Sequence, residues 1–135
     1  MLPDVNVWLA VTFESHVHHK EVRSWFEDRT PAEAAFCRIT MLGFLRLSQN
    51  ESAFPGEAVT ANNAWSLYQA ICSDERVCFH DEPPGIDELL GSYFSGINKP
   101  SPRSVTDAYL AAFSRLSGQT LYTFDKALQK HPLLK

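Results

Sequence analysis

The chain has 135 residues, 44% of them hydrophobic, with nine Phe, four Tyr and three Trp: enough for one well-filled core, and the expectation is a single domain over residues 1–135. Its longest apolar stretches fall well short of the roughly 20 residues that a membrane span requires, and its amino terminus lacks a basic region followed by an apolar one, so neither a membrane protein nor a secreted one is expected. A formal charge of −4 argues against holding nucleic acid mainly by bulk electrostatics. It leaves a nuclease open, because acidic metal ligands lower the net charge while single cations such as Arg38, Arg46, Lys99, Arg103, Lys126 and Lys130 can still touch phosphates. Cys37, Cys72 and Cys78 are odd in number, without C-x-x-C spacing, and are expected as reduced core residues of a cytoplasmic protein.

In chain order, Met1 to Val7 gives a short apolar opening, read as a strand, that contains Asp4. Val7 to Phe13 looks helical, Glu14 to His19 breaks it, and Val22, Trp25 and Phe26 give a second helix its apolar positions at i, i+3 and i+4. Ala35 to Thr40 is read as a strand. Met41 to Ser48 follows as a helix, and Asn50 to Thr60, with Pro55 and Gly56, is the longest loop. Thr60 can cap the next helix, whose expected buried face is Ala64, Trp65, Tyr68 and Ile71 or Cys72. Val77 to His80 reads as a strand closed by Asp81 to Gly85. Ile86, Leu89, Leu90, Tyr93, Phe94 and Ile97 then pattern a helix. Asn98 to Pro102 is a stiff loop leading to Asp107, which opens a helix with Tyr109, Ala112, Phe113 and Leu116 on its inner face and Gly118 at its end. A β-type run, Leu121 to Phe124, precedes Asp125 and the terminal segment Lys126 to Lys130. This alternation favours a parallel sheet covered on both faces.

In such a sheet the carboxyl ends of the strands and the amino ends of the following helices share the edge where ligands bind. Asp4, Asp107 and Asp125 all fall on that edge. Three carboxylates from distant parts of the sequence need a hard cation to offset their repulsion, which points to metal-assisted phosphate chemistry. Each has a structural rival. Asp107 with Ser104 has the S-x-x-D form of a capping box, Asp125 can cap the terminal segment, and Asp4 can be a turn acid. Asn6 either orients Asp4 or caps the first helix. His16, His18 and His19 lie in a helix-breaking loop with no nearby second pair and are read as a solvated loop rather than a metal cluster. The motifs of nucleotide triphosphate, dinucleotide and serine-nucleophile chemistry are missing from the sequence.

Three stretches together resemble a known family. Pro3-Asp4-Val5-Asn6-Val7-Trp8-Leu9-Ala10, then Phe36-Cys37-Arg38-Ile39-Thr40-Met41-Leu42-Gly43-Phe44-Leu45-Arg46-Leu47, then Thr106-Asp107-Ala108-Tyr109-Leu110-Ala111-Ala112 with Thr123-Phe124-Asp125, are similar to the PIN-domain toxin ribonucleases of the VapC type. The resemblance implies a three-layer α/β/α sandwich with a central parallel sheet and Mg²⁺- or Mn²⁺-dependent cleavage of RNA. It also implies a cognate antitoxin and a homodimer. Asp4 and Asp107 match the family's principal metal ligands, and Asp125 its further acid. Many relatives carry a glutamate where this chain has Gly43, which leaves two readings: an active nuclease, or a weakened or inactive binding module. Glu82, or Asp81 beside it, is expected on the same edge and can supply the missing charge or serve as a turn acid; Gly43 is read as a close-packing position. Arg46 is expected to pair with a surface acid rather than with phosphate. An aspartyl-phosphate enzyme is the remaining alternative, faintly supported by Asp4-Val5-Asn6. Trp8, Phe13, Trp25 and Phe26 are expected to exceed what the core hides, leaving apolar helix surface for the antitoxin.

Overall fold

The protein is described by a computed structural model covering residues 1–134. In chain order its elements are β1 (Leu2–Pro3), α1 (Val5–Thr12), α2 (His19–Glu27), β2 (Ala34–Phe36), α3 (Arg38–Ser48), α4 (Ala61–Cys72), β3 (Val77–Phe79), α5 (Ile86–Ser95), α6 (Ser104–Ser117), β4 (Leu121–Tyr122) and α7 (Lys126–Gln129), followed by a 3₁₀ turn at Pro132–Leu134. β1 pairs in parallel with β4, Leu2 opposite Leu121. β2 pairs in parallel with β3, Phe36 opposite Phe79. The two ladders are joined by the Ala35 N–H donating to the Met1 carbonyl at 2.9 Å. Pro3 has no N–H to return the bond, so regular pairing stops there and the strands lie side by side in the order β4-β1-β2-β3.

Two apolar clusters flank this sheet. Val7, Trp8, Val22, Phe26, Phe36, Phe44 and Phe54 form one with α1 to α4, and Leu2, Ile86, Leu110, Phe113, Leu128 and Leu133 form the other with α5 to α7. The result is the expected α/β/α sandwich. Trp8 stacks on Phe36 with centroids 3.9 Å apart, and burying each such side chain contributes roughly 1.5–3 kcal/mol. No helix among the described residues is long and apolar enough to cross a membrane.

Several expectations are corrected. α1 begins at Val5, not Val7, because Asp4 caps it. Asn6 therefore does not cap. The strand expected through Thr40 ends at Phe36, because the Cys37 N–H donates to the Thr40 hydroxyl at 3.0 Å and so starts α3 at Arg38. α6 starts at Ser104, whose hydroxyl donates back to the Ser101 carbonyl, so the S-x-x-D capping box does not form and Asp107 lies inside the first turn. Trp8 and Phe26 are buried, and Phe13 and Trp25 are half-buried against the same cluster, so the early helices carry no aromatic surplus. Trp65, expected inside, is 45% exposed. Leu116 is exposed as well, and among the cysteines only Cys37 is buried, since Cys78 is half-buried and Cys72 exposed.

Candidate active site

Because β1 and β4 are adjacent and parallel, the chain leaves them at one edge, delivering Asp4 directly after β1 and Asp125 shortly after β4. The Asp4 Oδ1 accepts the Val5 N–H at 2.7 Å and its Oδ2 accepts the Thr123 hydroxyl at 3.0 Å. The same hydroxyl oxygen accepts the Asp125 N–H at 3.1 Å, so the buried Thr123 latches the turn after β4 to the turn after β1. Asp125 caps α7, its Oδ1 taking the Ala127 and Leu128 N–H groups at 2.8 and 3.1 Å. The cap and the acidic edge use the same residue.

Asp107 comes from α6 and is half-buried. Burial first, then the charges of Asp125 and Asp4, raise its carboxyl above the ordinary value, while His131 lowers it. Among the described residues no hydrogen-bond donor acts on it. The Asp4 carboxyl is also raised, mainly by burial and further by Asp125, against its two hydrogen bonds. Asp4 and Asp107 each lie within the field of Asp125, and Asp107 within that of Asp4. Among the described residues no three His, Cys, Asp or Glu side chains close into a cage.

Glu82 follows β3 and accepts the Tyr109 hydroxyl on Oε1 at 2.8 Å. Burial and then Glu82 push the Tyr109 phenol up. Glu82 therefore reaches α6 two residues from Asp107, and its partner is Tyr109. Gly43 lies where α3 meets α1: a Cβ there would stand 2.5 Å from Val5 Cγ2. It is a close-packing position beside the residue whose N–H holds Asp4. Arg46 is exposed and enters no ion pair among the described residues.

The histidine loop is more ordered than a solvated segment. His18 stacks on Phe124 at 4.0 Å and lies 3.5 Å from Glu21, His16 Nδ1 accepts the His18 N–H, and His19 Nδ1 contacts the Ala10 carbonyl at 2.7 Å. Burial lowers the His16 pKa, and His18 and His19 lower it further. Two contributors went unread in the sequence. Thr123 had no role assigned, although a hydroxyl two residues before a capping Asp is a usable signal. His131, buried with its Nε2 unpartnered among the described residues and Nδ1 accepting the Leu133 N–H, acts on Asp107 from the terminal turn, and nothing local marks it.

Comparison with known proteins identifies the family. The PIN domain family model matches residues 1–133. Ribonuclease VapC41 of Mycobacterium tuberculosis is 34% identical over 135 residues, covering 97% of this chain and 92% of the relative. The chain belongs to the VapC group of PIN-domain proteins. Ribonuclease VapC38 of the same organism is 31% identical over 132 residues, covering 92% of this chain and 84% of its own. Among solved structures, VapC20 of M. tuberculosis, described as a sarcin-ricin loop cleaving toxin, superposes with a TM-score of 0.68 at 17% identity, covering 95% of this chain and 92% of that one. That likeness carries the fold of this PIN domain.

Proposed function

We propose that this PIN domain, one domain over residues 1–135, is a cytoplasmic toxin endoribonuclease that hydrolyses RNA phosphodiesters with Mg²⁺ or Mn²⁺. A cognate antitoxin silences it, and it works as a homodimer. The observation that carries the reading is the Thr123 latch, which fixes Asp4 beside Asp125 with Asp107 in their field. The ribonuclease names of the relatives support it.

Asp4, Asp107 and Asp125 would hold the cation. Such an ion offsets charge on the phosphate and acidifies water enough for attack near neutral pH. Asp4 is aimed by two donors and so has its direction set by the protein. Asp107 has none and takes its orientation from what it binds. Glu82, steadied by Tyr109, completes the site directly or through water. Water is the nucleophile, so no covalent enzyme intermediate forms. The rival reading, an inactive PIN-fold binding module, rests on Gly43 in place of an acid.

Purified protein should cleave RNA when Mg²⁺ or Mn²⁺ is added and stop in EDTA, and Asp107→Asn should be inactive. RNA left intact at every metal concentration would refute the enzyme, and calorimetry without a binding heat at millimolar Mn²⁺ would put the binding module in its place.

A further inference from the structure

Away from the aspartates, a recess lies between the start of α3, one side of α4 and the end of β3. It is a shallow depression of about 570 Å³ lined by Arg38, Met41, Trp65, Tyr68, Cys72 and Phe79, among others. Two of its rings face water: Trp65 is 45% exposed and Phe79 37%. Trp65 lies 5.6 Å from Tyr68 between centroids. The Arg38 guanidinium lies over Phe79 at 4.7 Å, its charge reaches Tyr68, and it pairs with no carboxylate among the described residues.

This recess belongs to the same edge as the aspartates. Phe79 ends β3 and Glu82 is three residues on, a chain reach of about 11 Å at most. Glu82 is bonded to Tyr109, two residues from Asp107. A strand of RNA lying along the edge would therefore pass both places.

The chemistry identifies the occupant. A chain of net charge −4, with three carboxylates at its centre, attracts a polyanion poorly, so its affinity has to come from something other than bulk charge. Exposed aromatic faces supply that, since every base has a π-face to stack, and one unpaired guanidinium beside them matches one phosphate. We propose that the Arg38–Trp65–Tyr68–Phe79 recess seats an unpaired nucleobase of the RNA flanking the scissile phosphodiester, with Arg38 on that nucleotide's phosphate. The proposal rests on the ribonuclease reading above. It makes the recess a selector for single-stranded RNA, because a base held in a duplex cannot be splayed onto Trp65.

The test uses the intact protein in EDTA with a labelled single-stranded RNA oligonucleotide and the same oligonucleotide in duplex. Single strand should bind, duplex should bind more weakly, and tryptophan emission should fall on binding. Trp65→Ala should weaken binding about tenfold and raise KM with kcat nearly unchanged, whereas Trp65→Phe, which keeps a ring, should retain most of both. Arg38→Gln should weaken binding and flatten its salt dependence by roughly the 0.7 log units per contact expected of one phosphate on a single strand. Melting temperatures of the variants verify that they are folded. Unchanged binding and KM in Trp65→Ala, with Asp107→Asn still inactive, overturns the recess and leaves the ribonuclease standing. A wild type that never cleaves RNA but loses RNA binding in Trp65→Ala overturns the ribonuclease and keeps the recess. A Trp65→Ala variant that changes only oligomeric state, or only the grip of a co-purifying protein, also overturns it, because the recess is then a protein interface.

Discussion

Replacing Gly43 by Ala tests the link between helix packing and the acidic edge. The added Cβ would stand 2.5 Å from Val5 Cγ2 and 3.4 Å from Val5 Cγ1, so one of the two helices must give. Val5 is β-branched and sits in the first turn of α1, where a single χ1 rotamer is strongly preferred, so it cannot simply rotate away. Overpacking of this kind costs about 1–3 kcal/mol, and Ala in place of Gly in a helix interior returns about 1 kcal/mol, leaving a net loss of about 1 kcal/mol. For a chain of this size that lowers Tm by about 3–5 °C. The informative measurement is the same substitution in a Val5→Ala background. With the methyls gone only the helix propensity remains, and Gly43→Ala should then stabilise by about 1 kcal/mol, a reversal of sign readable in urea or thermal melts of the four proteins. Because the Val5 N–H holds Asp4 Oδ1 at 2.7 Å, the single Gly43→Ala variant should also bind Mn²⁺ more weakly, and the double variant should recover part of the loss. Equal destabilisation in both backgrounds would refute the close approach of α1 and α3 as the reason for glycine.

Asp107→Asn should abolish cleavage yet melt higher than the wild type at pH 7 in EDTA. The folded state raises this carboxyl, so its contribution to stability is full below the unfolded pKa and is lost as pH rises through the folded value; by neutral pH the charge is a cost that Asn removes, and the gap should close as pH falls into the carboxylate range. Thr123→Val removes the hydroxyl that joins Asp4 to the Asp125 N–H and should cost about 1–3 kcal/mol in chemical denaturation while weakening Mn²⁺ binding; unchanged metal affinity would deny the latch a part in the site. Glu82→Gln keeps an acceptor for Tyr109 and should weaken metal affinity less than Asp4→Asn does, whereas an equal loss would make Glu82 a principal ligand and no loss would remove it from the site.

That Asp4 and Asp125 share one edge was legible in the sequence because topology alone determines where strand ends go. Once Leu2–Pro3 and Leu121–Tyr122 are parallel neighbours, Asp4 and Asp125 have to emerge together, whatever the side chains between them do. Element boundaries were less legible, because single hydrogen bonds decide them. The run from Ala35 to Thr40 carries the strand formers Phe36, Ile39 and Thr40, yet one bond between the Cys37 N–H and the Thr40 hydroxyl turns its second half into a helix. Thr in place of Glu or Gln at that position hides the capping box from a sequence pattern.

The misreading of Trp65 has a different origin, and it bears on function. Helical periodicity finds a stripe of apolar residues but not how much of the stripe a neighbour covers. Trp65 follows the fully buried Ala64 and is turned from it by about 100° around the helix axis, far enough to clear the packed face formed with Leu67, Tyr68 and Ile71. Partial exposure is ordinary for so large a side chain, so its neighbours decide what it offers. Trp65 stands at the rim of a recess with an arginine that no carboxylate neutralises among the described residues, which keeps both a ring face and a charge available to a ligand. Trp65 at 45% and Phe79 at 37% exposed, brought to one recess from a helix and a strand, make a contiguous aromatic patch, and it is the patch rather than the single departure from periodicity that bears on binding.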